Sequence, residues 1–338
     1  MSQVHTDVAE HAPPVASTVL VADLLINDEA HAGLEHERSV LEPLGAELVL
    51  CADMDDDELI EVGKDAVAIL VTYRPITARV LESLPNLKVV VKTGIGYNNI
   101  DTAAARDFGI WVVNVPDYCV EEVAAHALAL IMDGLRAISY NNGQIRAGNW
   151  VKDLGSLGLR RPSTLTLGTL GMGRIARQLH EYVAPLIPSR KFFDPFIDNQ
   201  DDVECCDSID ELFATCDIIS LHLPLTAGTT HLVSDELLST AKPGLLLVNT
   251  ARADIVSRSA LNKAVRTRRV AYYGTDVAWE EPLDPNHPEN RALLESDRMT
   301  ITPHMAWQSQ QSEVVLRVDA AKEIARVLRG ERPRHIVN

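Results

Sequence analysis

The stretch "LTLGTLGMGRIARQLHEYV", residues 165–183, runs from an apolar segment through two glycines into residues with helical spacing. By itself the pattern Gly171-x-Gly173-x-x-Ala176 is weak, because glycines also mark ordinary turns. Its surroundings meet three independent requirements: an apolar strand before it, a helix opening at Arg174, and an acidic residue, Asp194, ending the next strand about twenty residues on. In that setting Gly171 permits a tight turn, Gly173 lets the backbone approach a pyrophosphate, and Ala176 lets the helix pack on the strand. The helix N-terminus then offers unpaired N–H groups and the positive end of its dipole to the phosphates. Asp194 is expected to accept from both hydroxyls of an adenosine ribose and to repel a 2′-phosphate. NAD is therefore expected rather than NADP, with Arg190 and Lys191 the two nearby cations that weigh the other way.

Outward from this loop the same rhythm repeats. Short apolar runs at "STVLVADLL", "AELVLC", "AVAILVT", "LKVVVKTG" and "IWVVNVP" precede it, separated by more polar stretches. "RKFFD", "DIISLHLP", "GLLLVNTA", "VAYYGTDV" and "MTITPH" follow it. Strand and helix alternate, which predicts two parallel-sheet α/β domains in series. Between them "CVEEVAAHALALIMDGLRAI" places Val120, Val123, Ala127, Leu130 and Ile131 on one helical face, with Glu121 and Glu122 at the dipole-matched start. A last helix, about 312 to 329, carries Val315, Val318, Ala321, Ile324, Ala325 and Leu328 on one face and stops at Gly330. Its spacing does not say which domain it joins.

Composition narrows the function classes. The chain has 338 residues, 46% hydrophobic, with 48 acidic against 31 basic residues and a net charge of -17. Such a balance repels a phosphate backbone or an anionic membrane surface, so neither nucleic acid nor membrane is expected as a partner. The polar start "MSQVHTDVAEHAPPVAST" reads as a leader without an export signal. Five cysteines without paired C-x-x-C spacing imply reduced thiols, a cytoplasmic setting and no metal site.

In open parallel sheets ligands sit beyond the C-terminal strand ends, and three polar residues fall there. Arg252 follows the apolar strand ending in Asn249 and Thr250, and a guanidinium at that lip can grip a carboxylate and polarise a carbonyl. Glu281 precedes Pro282, after Asp276 at its own strand end. His304 follows "ITP", and a carboxylate beside an imidazole favours the charged ring and fixes its tautomer. Singly, each has a structural explanation: a surface ion pair, a solvated loop acid, a packed histidine. As an ordered set downstream of a dinucleotide loop they supply a carboxylate anchor, a carbonyl polariser and a proton donor, which reduction of a 2-oxo acid requires.

"KTGIGYNNID", "NVPDYCVEEVAAHALALI", "GTLGMGRIA", "HLPLT", "VNTARADIV", "GTDVAWEEPL" and "ITPHMAW" occur in the order and spacing of the D-isomer-specific 2-hydroxyacid dehydrogenase family, and the chain resembles it from about residue 18 onward. "VPDYCVEEVA", "TPHMAW" and the ending "RGERPRHIVN" are most similar to the branch of the C-terminal binding proteins and their bacterial relatives. The resemblance implies two Rossmann-like domains, with the cofactor domain, 116 to 305, inserted into a flavodoxin-like substrate domain, 1 to 115 plus 306 to 338, and the active site in the cleft. It makes Arg252 the anchor, Glu281 the partner of His304, and His304 the general acid and base. It assigns the cofactor to Arg174, Ile175, Asp194, Leu223, Pro224, Thr229, Thr250, Ala251 and Asp276, beside Gly171 and Gly173. The substrate falls to Gly94, Ile95, Gly96, Tyr73, Arg74 and Trp307. A homodimer through the cofactor domain is implied, at the long helix and the connector to 162.

There are departures. Ala253 and Asp254 stand where the family has glycine and a variable residue, so a methyl bears on the backbone and a charge is added near the anchor. Lys92 stands where arginine is common. The function expected is interconversion of a 2-oxo acid and a D-2-hydroxy acid with NAD. The alternatives are an NAD(H)-sensing, corepressor-like interaction protein and a dehydrogenase for an unusual small acid such as a phosphonate.

Overall fold

A computed structural model describes residues 17–23, 33–150, 158–198 and 202–338; the polar leader and much of the connector lie outside them. The chain forms two compact units, with boundaries after Tyr118 and after Ser309. Residues 306 to 309, expected with the first domain, lie with the second. The Met305 and Ala306 amides donate to the Asp276 carboxylate at 3.0 and 2.7 Å, and Ser309 Oγ donates to Glu122 at 2.6 Å.

The first unit is built on strands β1 (Ser17–Val21), β2 (Ala46–Leu50), β3 (Ala66–Val71), β4 (Val89–Lys92) and β5 (Trp111–Val113). They pair in parallel in the order β2-β1-β3-β4-β5, the flavodoxin-like arrangement. The middle strands are buried on both faces, which is why β3 and β4 read as continuous apolar runs rather than alternating ones. The last helix, Gln310–Leu328, belongs to this unit. Of the residues its apolar spacing placed inward, Ala321, Ile324 and Ala325 are buried while Val315 is 41% exposed, and Leu316, Ala320 and Val327 are buried with them. A charged pair is buried at this helix as well. Arg317 donates from Nε and Nη2 to both oxygens of Glu37 at 2.8 Å, and both residues are buried.

The second unit contains β6 (Thr166–Leu170), β7 (Ser189–Phe193), β8 (Glu204–Cys205), β9 (Ile218–Leu221), β10 (Leu245–Asn249), β11 (Val270–Thr275) and β12 (Met299–Ile301). All pair in parallel in the order β12-β11-β10-β9-β6-β7-β8. Direction of strand addition reverses between β6 and β9, and the crevice beyond that point is where such sheets take a dinucleotide. The long helix is Val120–Arg136, with Val123, Ala124, Ala127, Leu130 and Ile131 facing inward. It breaks at Ala137, whose φ is 49°, and a second helix runs Ile138–Arg146. Asp133 holds the break by accepting from the Ser139 amide at 2.7 Å. Among the described residues no single helix is long and apolar enough to cross a membrane.

Two histidines lie beneath the glycine loop. His180 Nε2 pairs with Thr169 Oγ1 at 2.9 Å and His222 Nε2 with Ser220 Oγ at 2.8 Å. Burial, with the charges of His222 and Arg190 behind it, pushes His180 down to about 3, and burial alone pushes His222 down to about 4. Both rings are therefore neutral when folded, while in the unfolded chain they charge below about pH 6.5. Between about pH 6.5 and about pH 4 the unfolded chain binds more protons, so stability falls with pH there by up to about 1.4 kcal/mol per pH unit for each ring. Denaturant melts should show this slope, and should lose part of it in His222→Gln. A melt that is flat across that range would dismiss the account.

Candidate functional site

Local geometry at the loop explains its glycines. Gly171 has a φ of 94°, and a Cβ there would lie 2.3 Å from the His222 carbonyl oxygen. Gly173, in extended backbone, precedes the Arg174–Val183 helix without a side-chain cap, and a Cβ on it would meet nothing within 4 Å. The helix thus opens toward space that its own chain leaves clear, as a phosphate site requires. Asp194 ends β7, where one oxygen accepts the Met172 amide and the other the Phe196 amide, both at 2.9 Å. Each oxygen keeps a further lone pair for a ribose hydroxyl. Arg190 donates to the carbonyls of His180 and Asp202, and Lys191 donates to Glu204 at 2.7 Å. The two cations that weighed toward NADP are therefore engaged elsewhere.

Leu223, Pro224 and Thr229 lie beyond β9, and Thr250 and Ala251 beyond β10. Thr229 Oγ1 donates to the Pro224 carbonyl at 2.7 Å, closing the loop that begins with Leu223. Thr250 Oγ1 is buried without a hydrogen-bond partner among the described residues, a polar atom that a ligand beside the strand end would satisfy. The Ala251 amide donates to Asn249 Oδ1 at 3.0 Å, and Asn249 Nδ2 donates to the Arg252 carbonyl at 2.9 Å, so Asn249 shapes the turn that presents Arg252. These residues fit a bound NAD.

Ala253 does not disturb that turn. It is buried and opens a short 3-10 helix, Ala253–Ile255, with negative φ, so its methyl meets no backbone penalty. The Asp254 carbonyl accepts the His231 amide at 2.7 Å, tying the segment to the neighbouring loop.

His304 Nδ1 lies 2.7 Å from Glu281 Oε2. A carboxylate accepts only, so Nδ1 carries the proton and Nε2 is the end left for a substrate. Glu281 Oε1 accepts the Ala278 amide at 3.2 Å. Burial raises the Glu281 carboxyl, but the His304 hydrogen bond and charge, the Ala278 amide and the Arg252 charge together hold it below the ordinary carboxylate range. The adjacent Glu280 is occupied differently: it pairs with Arg258 at 2.5 Å and accepts from Asn290. His304 itself sits at a φ of 54°, a left-handed backbone uncommon for histidine. Trp307 turns back on it, its indole Nε1 donating to the His304 carbonyl at 3.1 Å.

Asp276, expected among the cofactor contacts, is 1% exposed. Its carboxylate accepts Thr302 Oγ1 at 2.5 Å and the Met305 and Ala306 amides, and its carbonyl accepts the His304 amide at 2.9 Å. It shapes the turn that carries His304.

In the first unit, Asp23 at the end of β1 accepts the amides of Thr72, Tyr73 and Arg74 after β3. Neither Asp23 nor Thr302 was singled out from sequence, although an acid closing an apolar strand is the signal that identified Asp194. Tyr73 is 55% exposed. Arg74 is held by Asp56 at 2.8 Å and the Cys51 carbonyl at 3.2 Å, so its guanidinium stiffens this wall. Gly94 has a φ of 152°, and the Ile95 carbonyl accepts Asn114 Nδ2 at 2.7 Å, which shapes the Gly94–Gly96 turn.

Comparison with known proteins agrees with this geometry. Residues 128–306 match the family "D-isomer specific 2-hydroxyacid dehydrogenase, NAD binding domain". A glyoxylate reductase of Thermofilum pendens is 33% identical over 81% of this chain and 81% of its own length. A D-3-phosphoglycerate dehydrogenase of Methanocaldococcus jannaschii is 31% identical over 93% of this chain, which spans 59% of that relative's length. The crystal structure of D-lactate dehydrogenase from Aquifex aeolicus with NAD and lactic acid superposes with a TM-score of 0.80 at 26% identity, covering 93% of this chain and 96% of that one. With the dinucleotide loop, the strand order and these matches in agreement, the chain belongs to the D-isomer specific 2-hydroxyacid dehydrogenases, and its second unit is their NAD-binding domain.

Proposed function

We propose that the protein interconverts a 2-oxo acid and a D-2-hydroxy acid with NAD. The observation that carries this is the 2.7 Å pair between His304 Nδ1 and Glu281, which leaves Nε2 to work as acid or base. Arg252 grips the substrate carboxylate and polarises its carbonyl. Trp307, whose indole turns back on the His304 carbonyl, walls the substrate. Bound NADH supplies the hydride. His304 Nε2 gives its proton to the carbonyl oxygen in reduction and takes it back in oxidation, while Glu281 balances the ring's charge.

NADH absorbance followed against glyoxylate, pyruvate, hydroxypyruvate and its 3-phosphate tests the reading and ranks the substrates. Consumption should occur with at least one acid and give the D product. NADH binding without turnover on any of them would instead favour a cofactor-sensing protein.

The second unit also carries a self-association surface. Ile138 is 57%, Ile145 50% and Trp150 80% exposed along and just after one helix, beside a cavity of about 690 Å³ reached by Tyr140, Arg160, Tyr272 and Arg298. A homodimer through this face would cover those apolar side chains. Sedimentation should show a dimer that Ile145→Asp converts to monomer; equal masses for both would dismiss it. Five unpaired thiols suit a reducing compartment such as the cytoplasm.

A further inference from the structure

We infer that His126, on the long helix of the second unit, is a positioning residue for the acid-base histidine. This rests on the activity proposed above. His126 Nε2 lies 2.8 Å from Thr302 Oγ1, and Thr302 Oγ1 lies 2.5 Å from Asp276 Oδ1. The direction of the chain follows from counting protons. Buried Asp276 faces the Met305 and Ala306 amides, which can only donate, so its carboxylate is an acceptor and the single Thr302 hydroxyl proton points to it. The hydroxyl oxygen must then accept from His126, which fixes the proton on Nε2. His126 Nε2 also stands 3.8 Å from Asp276 Oδ1.

The chain ends on the backbone that carries His304. Asp276 takes the amides of three consecutive residues: His304 through its carbonyl, Met305 and Ala306 through its carboxylate. Those bonds hold His304 at its left-handed φ of 54°, a conformation that persists only where its surroundings over-determine it. With Thr302 anchored from the helix side, the Asp276 carboxylate is kept aimed at the turn. Without the His126 donor, the hydroxyl and the carboxylate can rotate, and the ring of His304 loses the placement that proton transfer needs. Among the described residues no hydrogen bond joins His126 to the Glu281 carboxylate or to the His304 ring, so it acts through the turn.

The experiment compares His126→Phe, which keeps a ring and loses the donor, with His126→Gln, which keeps an N–H donor. His126→Phe is expected to lower kcat for 2-oxo acid reduction by roughly tenfold to a hundredfold, with KM and NADH affinity within about twofold of wild type, and His126→Gln to recover most of that loss. Wild-type kcat in the Phe variant, or equal losses in Phe and Gln, would overturn the proposal. Should the Phe variant not fold, Thr302→Val breaks the same chain at the hydroxyl and is read against the same thresholds. Absence of turnover in the wild type on every acid would overturn the activity and leave the positioning role to be read from the ring nitrogen NMR resonances of His304 in the NADH-bound protein. A shift in Phe that Gln restores supports it, and resonances unmoved in both overturn it.

Discussion

His304→Ala should lower turnover of 2-oxo acid reduction by about a hundredfold to ten-thousandfold, roughly 3–5 kcal/mol of barrier, while NADH affinity stays close to wild type. The separation follows from where the groups sit. The loop, the helix start and Asp194 that fit the cofactor share no hydrogen bond with His304, whose ring is held by Glu281. Removing the imidazole takes away the proton donor and leaves those contacts intact. Glu281 makes a second, directional check. Its carboxyl is held below the ordinary carboxylate range, against burial, chiefly by His304. What the pair adds to stability is therefore present above that range and lost as pH falls through the depressed value. In His304→Ala this acid-side loss should be smaller than in the wild type, because the main support for the ionised carboxylate is gone while the burial that opposes it remains. Full turnover in the alanine variant would remove His304 from the chemistry.

Gly171→Ala should abolish NADH binding at concentrations that saturate the wild type. A Cβ at Gly171 would come within 2.3 Å of the His222 carbonyl oxygen, a backbone atom that no rotamer can move, at a φ of 94°. Overpacking of this kind costs about 1–3 kcal/mol, and the left-handed backbone adds about 1–2 kcal/mol. A strain of that size is relieved by shifting the loop, and each 1.4 kcal/mol lost from binding is a factor of about ten in Kd. Gly173→Ala is the informative partner. Its Cβ would meet nothing within 4 Å among the described residues, so its melting temperature should match wild type while NADH binding falls because the methyl occupies the space of the phosphates. Titration of NADH with both variants, alongside thermal melts, separates strain in the loop from occupation of the site. Wild-type affinity in Gly171→Ala would show that the loop does not carry the cofactor.

The sequence by itself determined the parallel α/β class and the glycine loop, and it singled out Arg252, Glu281 and His304 as candidates. Each depends on local information: a fully buried parallel strand reads as one apolar run, and a site residue at a strand end is the polar residue that terminates it. Tertiary structure decided what depends on partners distant in the chain. Which of the adjacent glutamates serves His304 is set by Arg258 and Asn290, which occupy Glu280. On the last helix, the burial of Arg317 depends on Glu37, 280 positions away, a charged pair that apolar periodicity cannot register. Asp276 illustrates the same limit. Its place at a strand end was legible, but its carboxylate is filled by Thr302, Met305 and Ala306, and only the folded turn brings those donors to it. A hydrogen bond needs its atoms within about 3 Å, and for residues far apart in the chain that proximity comes from packing, which composition and spacing do not encode.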